Sequence, residues 1–301
     1  MNKMAWVGML ALMAGCCFVP EKNSAVSVVS PDGKNEIRLW TAPLAYSVLR
    51  DGKVLVTRTE IGMNVNGSEL KGSLQRVRKF KQKGEEMAPV YKKEKISLAG
   101  NEVFADFGDW GVRLAARDDG VAYRFETAYS GRIRIDGEKA SVTVPKGDVH
   151  CWANCTGSFG NEETIPVSMP VSQLKTNALK GKTWGEKGMI YLPFAYAVSG
   201  TFVVVTESDV RDYPVWNLIS TDAREDGVVR FDSRFAGWPK KTQHVAGWGK
   251  ELVETGGRWV RVDEHEAFLT ETDGTRVFPW RTFVLADQPA KVCESDIVRA
   301  L

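Results

Sequence analysis

Period-two alternation recurs along this chain and restricts it to a β-rich fold. Val26, Val28 and Val29 alternate with Ser27 and Ser30, then Pro31-Asp32-Gly33-Lys34 turns into a second predicted strand over 35–40. Residues 44–50 and 54–57 flank Asp51-Gly52, a two-residue loop of the kind favoured in hairpins. Residues 110–116 lead into Arg117-Asp118-Asp119-Gly120 and return through 121–126. On that pair Val112, Leu114, Val121, Tyr123 and Phe125 share one face, and Arg113 and Arg124 share the other. Further strands are predicted over 131–135, 140–144, 188–192, 201–207, 228–231 and 276–285. This many short strands between Gly and Asp turns predict an all-β chain. The expected form is a large antiparallel β-sandwich over residues 25–286. Residues 287–290 read as a loop, and 296–301 as the start of a helix.

The N-terminus has a separate logic. Lys3 precedes an uncharged apolar stretch from Met4 to Ala14, and Met13-Ala14-Gly15-Cys16 reads as a lipoprotein cleavage box. The stretch is shorter than the roughly 20 residues a spanning helix needs. Residues 1–15 are therefore expected to be a signal peptide and Cys16 a lipidated N-terminus. That implies export to the periplasm or outer membrane, with membrane attachment only through the lipid. A net charge of +2 gives no electrostatic footprint for nucleic acid. The basic stretch Arg76, Arg78, Lys79, Lys81 and Lys83 reads as the wet face of a strand running into a loop.

Motifs of known chemistry are scarce. The sequence holds no G-x-S-x-G elbow, no phosphate loop, no H-E-x-x-H and no EF-hand loop. His150, His244 and His265 sit in no pairing motif. The stretch from Cys151 to Pro166 is polar, aromatic and without alternation, and so reads as a loop. An oxidising compartment permits a Cys151–Cys155 disulfide there, whereas a zinc reading lacks a second Cys/His pair. Adjacent Glu162 and Glu163 suit either a hard cation or a solvated acidic loop. Trp152, Trp184, Trp216, Trp238, Trp248 and Trp259 lie in or near loop-like text. Flat aromatic faces suit sugar rings, which makes Trp152 a candidate for sugar stacking, although packing is the ordinary use of tryptophan.

Several phrases together resemble the N-terminal β-sandwich domain of glycoside hydrolase family 97, bacterial enzymes acting on α-glucosides and α-galactosides in polysaccharide utilisation. They are Ser30-Pro31-Asp32-Gly33, Tyr46 to Lys53 with Ile61-Gly62, Arg117 to Phe125, Thr206 to Pro214, and Phe278-Pro279-Trp280-Arg281 followed by Leu285-Ala286-Asp287. The resemblance implies a galactose-mutarotase-like supersandwich. It also implies that the catalytic carboxylates lie on a following (β/α)8 barrel, with residues 287–301 as linker and start of that missing barrel. On this reading no catalytic residue belongs to the chain, which is a non-catalytic carbohydrate-binding accessory domain. Its partners are an α-linked oligosaccharide or a separately encoded barrel. The family's sandwich lends one glutamate to a calcium ion beside the active site. Here the matching residue is Glu163, with Glu162 as second choice, although Glu162 stands where the family has tyrosine. Calcium takes six to eight oxygens, so a full site is expected only with the barrel. Two alternatives stay open: a free-standing mutarotase-like epimerase using a histidine beside a carboxylate, and a structural surface lipoprotein.

Overall fold

A computed structural model describes residues 25–88, 91–156, 159, 165–174, 189–221, 227–246 and 259–301. The first layer is a meander of β1 (Val26–Val29), β2 (Asn35–Thr41), β3 (Leu44–Arg50) and β4 (Lys53–Val65), all antiparallel. Its tightest corner is Asp51-Gly52, where both residues have positive φ, 49° and 74°. That is the mirror-image turn whose twist matches the strands it joins. A short β5 (Ser68–Glu69) continues β4, and β6 (Arg76–Gln82) begins the second layer. After the small pair β7 (Glu85–Met87) and β8 (Lys95–Ser97) come β9 (Gly100–Asp106), β10 (Trp110–Arg117) and the long β11 (Gly120–Ala140). Next are β12 (Val142–Val144), β13 (His150–Thr156), β14 (Val167–Pro170), β15 (Met189–Val198) and β16 (Thr201–Ser208). The last strands are β17 (Asn217–Ser220), β18 (Val229–Arg234), β19 (Pro239–Val245), β20 (Trp259–His265), β21 (Thr270–Val277) and β22 (Trp280–Ala286). Two short helices close the chain, α1 (Pro289–Glu294) and α2 (Ile297–Ala300).

Antiparallel pairing orders the second layer β6-β9-β10-β11-β22-β16-β15-β13-β14. The first half of β11 pairs with β10 and β22 in this layer. Its second half pairs with β4, so one bulged strand passes from one layer to the other. Such bulges bend a strand at the cost of an unpaired residue. The layers meet in one apolar core. Tyr46 of β3 lies 4.8 Å from Tyr123 of β11 and 5.6 Å from Phe283 of β22, centroid to centroid. Tyr46 donates its hydroxyl to the Ser141 carbonyl and Tyr196 to the Leu55 carbonyl, each at 2.9 Å, whereas the buried Tyr123 hydroxyl has no hydrogen-bond partner among the described residues. Burying rings of this size contributes on the order of 1.5–3 kcal/mol apiece.

The all-β sandwich and the alternation of Val112, Leu114, Val121, Tyr123 and Phe125 into the core are as the sequence predicts. Three expectations need correction. The text 276–285 is two strands, because Phe278-Pro279 interrupts it and proline has no N–H to give a ladder. Residues 151–156 are strand, not loop; Cys151, Ala153 and Cys155 point inward while Trp152 points out. The presumed loop 287–290 already enters α1 at Pro289, a residue suited to a first helical turn. The basic stretch lies on β6, whose described pairing is with β9 alone. Arg76 and Arg78 both reach Asp106 there, and exposed Lys79 and Lys81 blunt an edge that could otherwise pair with another chain.

Candidate functional site

One group of charges lies inside the sandwich. Arg281 of β22 is fully buried and pairs in register with Tyr123 and with Glu207 of β16. Its Nε and Nη2 donate to the two oxygens of Glu138, at 2.8 and 2.5 Å, and its Nη1 donates to Glu207 at 2.7 Å. Tyr213 donates its hydroxyl to Glu138 at 2.8 Å, and the Trp216 backbone N–H donates to Glu207 at 3.1 Å. The rings of Tyr213, Trp216 and Phe235 surround the guanidinium within 5.8 Å. One cation thus faces two carboxylates. Burial pushes the Glu207 carboxyl above its ordinary value, against the pull of Arg281. Both carboxylates are thus committed to Arg281, with 2% of the Glu138 side chain and 10% of the Glu207 side chain exposed.

A second knot fixes the C-terminal segment. Asp119 accepts from the Ser295 hydroxyl at 2.7 Å and from the backbone N–H groups of Asp296 and Ile297 at 2.7 and 2.9 Å. Arg117 donates to the Ala300 carbonyl at 2.9 Å and Lys93 pairs with Asp296 at 2.6 Å. Asp118 accepts the Asp32 N–H at 2.9 Å, so the Pro31–Gly33 turn is tied to the same loop.

The open surface is different in kind. Trp152 of β13 is 36% exposed. Its cross-strand neighbours are small, Ser168 of β14 on one side and Ala195 of β15 on the other, so neither covers the indole. His150 meets the indole edge-on at 5.1 Å and Phe202 of β16 tilts against it at 5.9 Å. His150 Nε2 shares a 2.8 Å hydrogen bond with the Ser168 hydroxyl. Asn154, two residues along β13, has a buried Oδ1 without a hydrogen-bond partner among the described residues. The sequence singled out Trp152, and His150 only as one of three histidines, but not Ser168 or Phe202. Only strand pairing brings the last two beside Trp152.

Other expected residues fall out as follows. No disulfide joins Cys151 to Cys155. They lie four residues apart on one strand, roughly 13 Å between Cα atoms at ordinary strand rise, and a disulfide tolerates under about 7 Å. Glu162, Glu163, Cys16, Trp184 and Trp248 lie outside the described residues. Among the described residues no group of three or more His, Cys, Asp or Glu side chains could hold a metal. Trp216 is core, whereas Trp238 and Trp259 are exposed. His150 is bonded to Ser168 and His265 to the Gly237 carbonyl at 2.7 Å, neither to a carboxylate, and His244 lies exposed on β19. Trp152, Phe159, Ile165 and Val298 are exposed apolar residues.

The sequence profile described as Glycosyl-hydrolase 97 N-terminal matches residues 28–301. The chain belongs to this family. A retaining alpha-galactosidase of Bacteroides thetaiotaomicron is 24% identical over 286 residues, which is 92% of this chain and 41% of that protein. The chain therefore spans about two fifths of that relative's length. Among solved structures, a Glycoside Hydrolase Family 97 enzyme from Pseudoalteromonas, in complex with acarbose, aligns with a TM-score of 0.68 at 18% identity. It covers 90% of this chain and 37% of its own. A beta-arabinopyranosidase aligns with a TM-score of 0.63 at 18% identity, over 87% of this chain and 40% of its own. At such identities these structures speak for the shared fold. The family 97 sandwich expected from the phrases at residues 30–33, 117–125 and 278–281 is thus the fold found.

Proposed function

We propose that this chain is the non-catalytic sandwich of an exported α-glycosidase, working with a (β/α)8 barrel from the same or a separate polypeptide. The observation that carries this reading is the family match over residues 28–301 in a chain spanning 41% of the α-galactosidase. The commitment of Glu138 and Glu207 to Arg281 supports it, since these two carboxylates are already paired and little exposed. The substrate class is an α-linked oligosaccharide. Cys16 carries the lipid that holds the protein at the membrane.

The test is to purify the chain alone and together with a family 97 barrel that lacks its own sandwich, and to assay p-nitrophenyl α-galactoside and α-glucoside. The expected result is no hydrolysis by the chain alone, and a stable complex with increased barrel activity. Hydrolysis by the chain alone, or interconversion of glucose anomers followed by polarimetry, overturns the accessory reading. Metabolic labelling with palmitate tests the anchor: Cys16→Ala abolishes incorporation if Cys16 is lipidated.

A further inference from the structure

We propose that the shelf formed by His150, Trp152, Ser168 and Phe202 binds a neutral hexopyranose ring, independently of any catalytic barrel. Three features point to that ligand. First, strand pairing sets Ser168 and Ala195 beside Trp152, and these small side chains leave the indole clear of its cross-strand neighbours. A sugar ring has a C–H face that covers such a surface, so burying it removes apolar area from water on both partners. Second, the polar groups beside the ring are held for recognition. His150 is oriented by its 2.8 Å bond to Ser168, and the Ser168 hydroxyl is itself exposed. Third, His150, Trp152, Asn154, Ser168, Ala195 and Phe202 include no carboxylate, ammonium or guanidinium. A charged glycan gains nothing from such a surface, whereas a neutral one loses no ion hydration on docking.

Phe202 has a supporting role. Its ring lies 5.9 Å from the indole at 31°, which limits how Trp152 can tilt. A preset ring loses less freedom on binding than a mobile one. The neutral hexopyranose class follows from the shelf itself. The α-linkage rests on the reading under Proposed function.

The experiment is calorimetric titration of the chain alone with maltotriose, melibiose and polygalacturonate. The expected result is millimolar binding of at least one neutral sugar, with a Kd of about 1 mM, and none of polygalacturonate. Trp152→Ala weakens that binding roughly tenfold or more. Trp152→Phe retains part of it and guards against a folding defect. Trp259→Ala, at an exposed tryptophan on β20, leaves it unchanged. Absence of binding to both neutral sugars overturns the proposal, as does binding that survives Trp152→Ala or that favours polygalacturonate. Because no barrel is present, failure here leaves the accessory reading standing. Failure of the barrel complex leaves the shelf standing.

Discussion

Arg281 grips Glu138 with two parallel hydrogen bonds, Nε to Oε1 and Nη2 to Oε2, inside the sandwich. Such fork-to-carboxylate pairing fixes geometry as well as charge. Removing the cation alone leaves Glu138, with 2% of its side chain exposed, as an uncompensated buried charge. Arg281→Met is therefore expected to cost about 3–5 kcal/mol, read as a drop in the urea midpoint. Adding Glu138→Gln to that variant recovers part of the loss, because the orphaned charge disappears. If the double variant is no more stable than Arg281→Met, lost packing rather than stranded charge explains the effect.

Glu207 gives the network a pH signature. Its folded-state carboxyl is raised above the ordinary 4.5 by burial, with repulsion from Glu138 adding to the shift, against the pull of Arg281 and the Trp216 N–H. A raised acid keeps its proton in the folded chain after the unfolded chain has lost it. Its contribution to stability is full below about pH 4.5 and is lost as pH rises through the folded value. Glu207→Gln does not titrate. The stability of the natural protein relative to Glu207→Gln should fall as pH rises from 4 to 8, measured by urea melts of both. A difference that grows with pH contradicts a raised Glu207.

At the other knot, Asp119 carries the start of α2. Asp119→Ala strips the acceptor from the Ser295 hydroxyl and from two backbone N–H groups. The expected loss is about 1–2 kcal/mol, as for removal of a helix cap. Hydrogen exchange should quicken at Ile297 to Leu301 and not at β3. Uniform quickening across the chain would show that the segment is not a separate unit.

Gly120 explains why the loop ends as it does. A Cβ there would lie 2.3 Å from the Phe283 carbonyl oxygen and 3.0 Å from Ile297 Cδ1. The first is backbone within a paired strand and cannot step aside. Gly120→Ala is expected to cost about 1–3 kcal/mol by overpacking, seen as a lower melting temperature.

Much of the fold was legible because alternation is local: Val112 and Tyr123 declare their face without knowing their partners. Most of the phrases that carried the family resemblance contribute to the two knots, Asp32 with Arg117 to Gly120, and Glu207 and Tyr213 with Arg281 and Glu138, whereas Tyr46 to Lys53 lies outside both. What stayed hidden was long range. Glu138 sits 143 residues from Arg281, between the predicted strands 131–135 and 140–144, so nothing local marked it as a partner. The shelf was half legible. Trp152 stood out by type, whereas Ser168 and Phe202 join it only through the register of β14 and β16.

The cysteines were misread because composition suggested a loop where the chain forms β13, and strand geometry then forbids the bond. The correction has a chemical consequence. Burial, with the nearby Cys155 adding to it, pushes the Cys151 thiol up to about 12, so the thiolate that reacts with disulfide reagents is scarce at neutral pH. Cys293 is exposed. Titration of the native protein with an aromatic disulfide at pH 8 should modify Cys293 promptly, and Cys151 and Cys155 only after unfolding. Mass spectrometry after alkylation under denaturing, non-reducing conditions should find both buried cysteines alkylated. Recovery of a peptide joining Cys151 to Cys155 would show that β13 can open far enough to be oxidised, and that the strand found here is not the only state the segment reaches.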